Sequence, residues 1–257
     1  MSKGTALVTG ASAGLGAELA KLCAAGGYDV VLVARSAARL AELSASLSST
    51  HGVKATPLVA DLANPAAPPE IFAQMSGAPV DILINNAGFG LRGPYVETDW
   101  RKESGLLQVN VVALAHLTKL FLPEMVRRRT GRVLNVASTA AFVPGPFMAM
   151  YYASKAFVLS FSEALANEVQ GTGVSVTVLC PGPTRTEFFE AAGITDSNLV
   201  KGPTMGAAEV AREGWDAMMA GKSSVIAGAR NRWMMRGARL LPRSWVAATT
   251  RKLNLGS

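Results

Sequence analysis

The sequence predicts a doubly wound α/β fold, with a mainly parallel seven-stranded sheet and helices on both faces. Three observations predict it. Short apolar, β-branched runs alternate with longer helical patterns along most of the chain. The first run leads at once into a glycine-rich turn, Thr9-Gly10-Ala11-Ser12-Ala13-Gly14-Leu15-Gly16, which opens a helical pattern. A length of 257 residues, 49% hydrophobic and 17% charged, suits one large well-buried domain spanning 1–257.

The strands are expected over 6–9, 29–34, 55–60, 81–85, 132–137, 174–179 and 223–227. Between them, helices are expected near 14–25, 37–48, 69–75, 100–129, 151–170 and 207–220. Pro65, Pro68 and Pro69 mark a loop, and Pro144 and Pro146 another; no internal repeat or low-complexity linker interrupts the order. In such folds ligands lie outside the carboxyl ends of the strands, at the topological switch point.

Charge and cysteine usage narrow the function classes. The net charge is +7, yet residues 217–257 carry eight basic residues and no acid, leaving 17 basic and 18 acidic residues before them. A uniformly basic nucleic-acid-binding domain is therefore not expected. Cys23 and Cys180 form no metal-ligand spacing and read as reduced core thiols; no metal site is expected. A strand begins almost at the N-terminus, and no uncharged apolar run approaches the roughly 18 residues that span a bilayer. The expectation is a cytoplasmic protein.

The turn at Gly10, Gly14 and Gly16 has the spacing Gly-x-x-x-Gly-x-Gly, not Gly-x-Gly-x-x-Gly. Glycines let the backbone approach a pyrophosphate closely, and the following helix offers free N–H groups and a positive dipole end. Nucleotide binding is the expectation, against a ligand-free strand-to-helix turn. At the end of the second strand stand Ala34 and Arg35, where an acid would read a ribose 2′-hydroxyl. An arginine suits a 2′-phosphate by charge and by its donor fork, which favours NADP(H) over NAD(H).

Tyr151 and Lys155 stand four residues apart in Tyr151-Tyr152-Ala153-Ser154-Lys155, with Ser138 thirteen residues before Tyr151. On a helix, i and i+4 share a face, so the ammonium can lower the phenol pKa from about 10. Tyr152, three residues before Lys155, meets the same geometric condition. Helical spacing cannot choose between the two tyrosines. His51 and His116 lie away from these motifs and carry no catalytic or metal role.

With Gly10, Gly14, Gly16, Ser138, Tyr151 and Lys155 in this order, the chain resembles the short-chain dehydrogenase/reductase family. Asp61-Leu62, Asn85-Asn86-Ala87-Gly88, Pro181-Gly182 and Gln108-Val109-Asn110-Val111 agree, and the resemblance covers roughly residues 4 to 226. It implies a Rossmann-like fold and the Tyr-x-x-x-Lys spacing that selects Tyr151. By that resemblance Tyr151 is the general acid/base, Lys155 lowers its pKa and holds the nicotinamide ribose, and Ser138 binds the substrate oxygen. Asn110 would anchor a water leading from Lys155 to solvent. Ser12, Leu15, Asp61, Leu62, Asn86, Ala87, Gly88, Pro181, Gly182, Thr184 and Thr186 would line the cofactor, with Asp61 and Leu62 at the adenine. Asp61 could equally cap a turn, and Asn86 could serve only backbone groups. The six-residue Tyr–Lys gap of the related enoyl-acyl-carrier reductases is absent, which disfavours C=C reduction. Family analogy also implies a homodimer or homotetramer. A non-catalytic NADP-binding regulator is the rival reading, which the complete Asn110, Ser138, Tyr151 and Lys155 set argues against.

Residues 140–150 and 187–205 should frame the substrate. Phe142, Phe147, Met148, Met150, Phe188, Phe189, Ile194 and Leu199 favour an apolar carbonyl or alcohol. Gly193 and Gly202 would let the second segment move. The extension from about 229 to 257 reads as a basic amphipathic helix. Arg232, Arg236, Arg239 and Arg243 share one face, Met234, Ala238, Leu241 and Trp245 lie almost opposite, and Pro242 breaks the pattern. Docking of the apolar face on the core or on a second subunit is favoured over a membrane surface, where the chain would reduce lipid-derived ketones.

Overall fold

The computed structural model describes residues 2–75 and 77–255. Met1, Gly256 and Ser257, at the ends of the expected 1–257 domain, lie outside the described residues. The first half alternates strictly: β1 (Thr5–Thr9), α1 (Gly14–Ala25), β2 (Asp29–Ala34), α2 (Ala37–His51), β3 (Ala55–Val59), α3 (Ala67–Gln74) and β4 (Ile82–Asn85). A long helical rod follows, made of α4 (Trp100–Leu107), a π-helical stretch (Gln108–Ala113) and α5 (Leu114–Arg128). After it come β5 (Gly131–Val136), a 3₁₀ turn (Thr139–Phe142), α6 (Ala149–Glu168) and β6 (Val174–Cys180).

The main sheet runs β3-β2-β1-β4-β5-β6-β9, with β9 at Ser224–Ile226, and all its pairings are parallel. Side-chain alternation along each strand sorts the core into two layers. Ala6, Val8, Val30 and Leu32 pack with Leu19 of α1, Leu40 of α2 and Trp215 of a later helix. Leu7, Val31 and Val33 pack on the opposite face with Ile71, Leu117 and Phe121. Burying each such side chain contributes about 1.5–3 kcal/mol. The rod 100–128 is long and apolar enough to cross a membrane, but Leu117, Phe121 and Met125 bury its inner face against the sheet.

A polar line crosses this core. Asn85 Nδ2 donates to Thr118 Oγ1 at 3.0 Å and Asn135 Oδ1 at 2.9 Å, and Asn135 Nδ2 donates to Ser162 Oγ at 2.9 Å. It fixes β4 and β5 to α5 and α6, and so sets the height of α6 over the sheet.

Several expectations change. Pro68 and Pro69 are not loop residues: they occupy the first turn of α3, where a missing N–H costs nothing. The helix expected at 100–129 holds its π-helical stretch around Asn110. Between β6 and α9 (Ala207–Met219) lie unexpected small elements: β7 (Thr184–Arg185) paired parallel with β8 (Met205–Gly206), and α7 (Phe188–Ala191) and α8 (Asn198–Lys201). Beyond β9 the extension forms two helices, α10 (Ala229–Ala238) and α11 (Arg243–Asn254). Its expected apolar face is not docked on the core of its own chain. Met235 and Asn231 pack inward instead, while Met234, Leu241 and Trp245 stay exposed at 45%, 52% and 67%.

Candidate active site

At the β1–β4 switch point, one hydroxyl and one amide join the two loops. Thr9 Oγ1 accepts from Asn86 N (3.0 Å) and Ala87 N (3.1 Å), while Asn86 Nδ2 donates to Thr9 O (2.9 Å) and Gly10 O (3.2 Å). The backbone-bonding role of Asn86 is therefore real, and the residue also lines the cleft. Thr9, buried and unremarked among the candidates, was findable only as the last residue of a strand facing a polar loop.

The glycines are required by geometry. Gly10 and Gly14 have φ of 66° and 54°, and a Cβ on Gly16 would run into Gly10 O and Asn86 Nδ2. The helix α1 that follows has Ala13 before it, no side-chain cap and no acid in its first turn. Its first N–H groups thus face the cleft uncompensated, which is the electrostatic setting for a pyrophosphate.

A cleft of about 330 Å³ runs from this turn to the substrate side. At one end it is lined by Gly10, Gly14, Leu15, Gly16 and Arg35, and along its floor by Asn86, Ala87, Gly88, Pro181, Gly182, Thr184 and Thr186. Three expected cofactor residues do not line it. Ser12 is half-buried in the turn, and Leu62 is packed in the core. Asp61 is exposed and its Oδ1 accepts from Ala63 N at 3.0 Å, the turn-capping alternative. These residues and the cleft's shape fit a nicotinamide dinucleotide: glycines where backbone must approach, free N–H groups at the phosphates, and a cation at the ribose end.

At the other end stand Ser138, Tyr151 and Lys155. Ser138 follows β5; its Oγ accepts from Ala140 N at 3.1 Å, donates to Pro181 O at 3.4 Å and stands beside the Tyr151 phenol. Tyr152 points elsewhere: its OH donates to Asn254 Oδ1 at 3.0 Å. The two tyrosines are thereby separated, which helical spacing could not do. Lys155 Nζ donates to Val136 O at 2.9 Å and lies 5.9 Å from the Tyr151 ring centre. Asn110, one layer behind the cleft, donates to Phe89 O (3.0 Å) and Ser154 Oγ (3.1 Å) and accepts from Phe89 N (3.1 Å). The π-helical stretch turns its amide toward the 86–90 loop, tying that loop to α6.

The electrostatics differ from the expectation. Burial raises the Tyr151 pKa well above the usual phenol range, with the Ser138 bond opposing and nearby Tyr152 adding to the rise. Burial also pulls Lys155 down to about 8, partly offset by Cys180. Burial is thus the largest influence on both groups. Cys180 and Cys23 are free, buried thiols with raised pKa values, again from burial.

On the substrate side, Met148, Phe188, Phe189, Ile194 and Leu199 line the cleft as expected, joined by Phe89. Phe142 and Phe147 do not: they lie under Arg239 and Arg251 at 5.2 and 4.6 Å, and Met150 also stands outside the lining. Gly193 has φ 65°, whereas Gly202 is extended. The 187–201 segment is held at both ends. Glu187 takes two bonds from Arg39 Nη1 (2.7 and 3.0 Å), and Asn198 bonds Leu255 O (3.2 Å) and Lys252 O (3.0 Å) of the tail. Asn254, fully buried, completes this by donating to Pro146 O at 2.9 Å. No signal in the sequence marked Asn254, because its partners lie more than 100 residues away.

Residues 4–196 match the family model described as short chain dehydrogenase. The chain belongs to the short-chain dehydrogenase/reductase family. A short chain dehydrogenase of Pseudocercospora fijiensis is 39% identical over 191 residues, 72% of this chain and 60% of that relative. The chain thus spans less than two thirds of that relative's length. A short-chain dehydrogenase from Sphingobium yanoikuyae, solved with NADPH, superposes with a TM-score of 0.84 at 35% identity, covering 92% of this chain and 94% of that one. A 7beta-hydroxysteroid dehydrogenase superposes at 0.88 with 27% identity, covering 96% of each chain. The family's members are oxidoreductases that bind a nicotinamide nucleotide and act on small molecules.

Proposed function

We propose that this chain is an NADP(H)-dependent reductase of an apolar ketone or aldehyde, with Tyr151 as general acid/base. The observation that carries the reading is half-buried Ser138 beside buried Tyr151, with Lys155 on the same helix as Tyr151, at one end of a cleft whose other end carries Arg35. The bound nicotinamide would supply the hydride. The chain's own residues do the rest: Ser138 orients the substrate oxygen and Tyr151 gives it a proton. Lys155, near Gly88, would hold the ribose. Asn110 acts as a positioning residue through Phe89 and Ser154.

Arg35, exposed at the end of β2 with no acid beside it at position 34, supports a 2′-phosphate, as does the NADPH carried by the Sphingobium relative. The apolar lining supports an apolar carbonyl, in keeping with a steroid-oxidising structural relative. The test is an absorbance screen of NADPH and NADH oxidation across ketones and aldehydes graded by size and polarity, repeated with Arg35→Asp. The expected result is NADPH-dependent turnover favouring apolar substrates. Arg35→Asp should raise the KM for NADPH about tenfold or more and leave NADH little changed. An unchanged coenzyme preference removes the 2′-phosphate assignment.

A further inference from the structure

We propose that the elbow between α10 and α11 is a docking tip for an anionic lipid surface. Every residue from Arg239 to Trp245 is exposed, in the run Arg-Leu-Leu-Pro-Arg-Ser-Trp. Leu240 is 87% exposed and Trp245 67%, and Trp233 on the preceding helix is 71% exposed. Large apolar side chains this free, in consecutive positions, are unusual in a loop whose backbone is otherwise ordered by Leu240 N to Gly237 O and Trp245 N to Pro242 O bonds.

Charge decides among the possible occupants. Residues 217–257 hold eight cations and no acid. Among the described residues only Arg232 of these forms an ion pair with an acid, Glu213 at 3.1 Å. Glu163 faces Arg236 and Arg239 across a small cavity without pairing to either. A second copy meeting this elbow about a two-fold axis would press arginines onto arginines with no carboxylate from the tip to neutralise them. A nucleic-acid backbone would satisfy the arginines and leave Leu240, Leu241 and Trp245 in water. An anionic bilayer meets both needs: leucines enter the acyl boundary, tryptophans rest at headgroup level, and Arg239 and Arg243 bracket the tip against phosphates and carboxylates. Arg236, over the Trp233 ring at 5.5 Å, holds the same pairing on α10.

Truncation before α10 is a poor test, since Asn254 anchors Tyr152 and Pro146. The surface substitutions Leu240→Ser with Trp245→Ser, and Arg239→Gln with Arg243→Gln, leave those bonds untouched. The full chain is sedimented with vesicles of phosphatidylcholine alone or mixed with phosphatidylserine. Pelleting is expected with the mixed vesicles, weakening with salt, and far less with phosphatidylcholine. Each double variant should lose about tenfold or more in partition. Absence of pelleting, or equal pelleting by wild type and both variants, overturns the proposal. Sedimentation velocity without lipid gives the other outcome: a variant that changes the oligomeric state makes the elbow a contact between copies and also overturns it.

Discussion

The two ends of the cleft are built on different principles. The nucleotide side, from the glycine turn to the reacting groups, rests on the carboxyl termini of central parallel strands, where β1, β4, β5 and β6 lead into Gly10, Asn86, Ser138 and Pro181. The substrate end is made of short helices and loops, α7, α8 and the 139–148 turn, held in place by the tail through Asn254 and by Arg39 on Glu187. The first end is pinned by backbone geometry that tolerates no added atom; the second is pinned by a few long-range side-chain bonds.

The sharpest way to break the first end is Gly16→Val. Its Cβ would collide with Gly10 O and with the Asn86 amide that joins the two loops. Loss of measurable cofactor binding is expected by fluorescence titration, with overpacking costing about 1–3 kcal/mol or more of stability. Retained binding would show that the turn yields more than the geometry allows.

Lys155→Met separates function from stability within the same end. The folded-state pKa of about 8 lies below the ordinary lysine value of 10.5, so the unfolded chain binds the proton more readily. Burial of Lys155 therefore costs stability in full below pH 8, and this cost fades as pH rises toward 10.5. Removing the amine should abolish turnover yet raise urea-denaturation stability at pH 7, by at most about 3 kcal/mol less the lost Val136 bond. The gain should vanish near pH 10.5. A variant less stable at pH 7 would contradict the electrostatic account.

Asn254→Ala tests the second end. It removes the partners of Tyr152 OH and Pro146 O, costing about 1–3 kcal/mol in thermal denaturation. Because Tyr152 and the 146–148 turn border the pocket, KM for substrate should rise several-fold while the KM for cofactor stays within experimental spread. Equal changes in both would mean the two ends are not separable.

What the sequence revealed follows the same division. The parallel sheet and the glycine turn were legible because each rests on local spacing or on a strand end, whereas the Ser138, Tyr151 and Lys155 set came from the family resemblance, since spacing alone left Tyr152 open. Asp61 and Leu62 were assigned to the cofactor by analogy, and the structure puts one in a turn and the other in the core. Which face of the tail meets its own core was misread for a physical reason. A helical wheel ranks faces by hydrophobicity, but α10 docks through Asn231 and Met235, whose partners Ala227 O and the β9 region set the rotation of the helix. Asn254 and Arg39 act across the fold, and one-dimensional spacing carries no trace of such contacts. Nor could it show that burial is the largest influence on Tyr151.

The central claim concerns one phenol, and the paired variants Tyr151→Phe and Tyr152→Phe test it most directly. Initial rates of NADPH oxidation with a ketone substrate are measured for both beside the wild type. Tyr151→Phe should fall by about 10²–10⁴-fold in kcat, the usual worth of a general acid, while Tyr152→Phe keeps most of its kcat and loses chiefly thermal stability. Near-normal kcat in Tyr151→Phe, with the loss falling on Tyr152→Phe, would contradict the account.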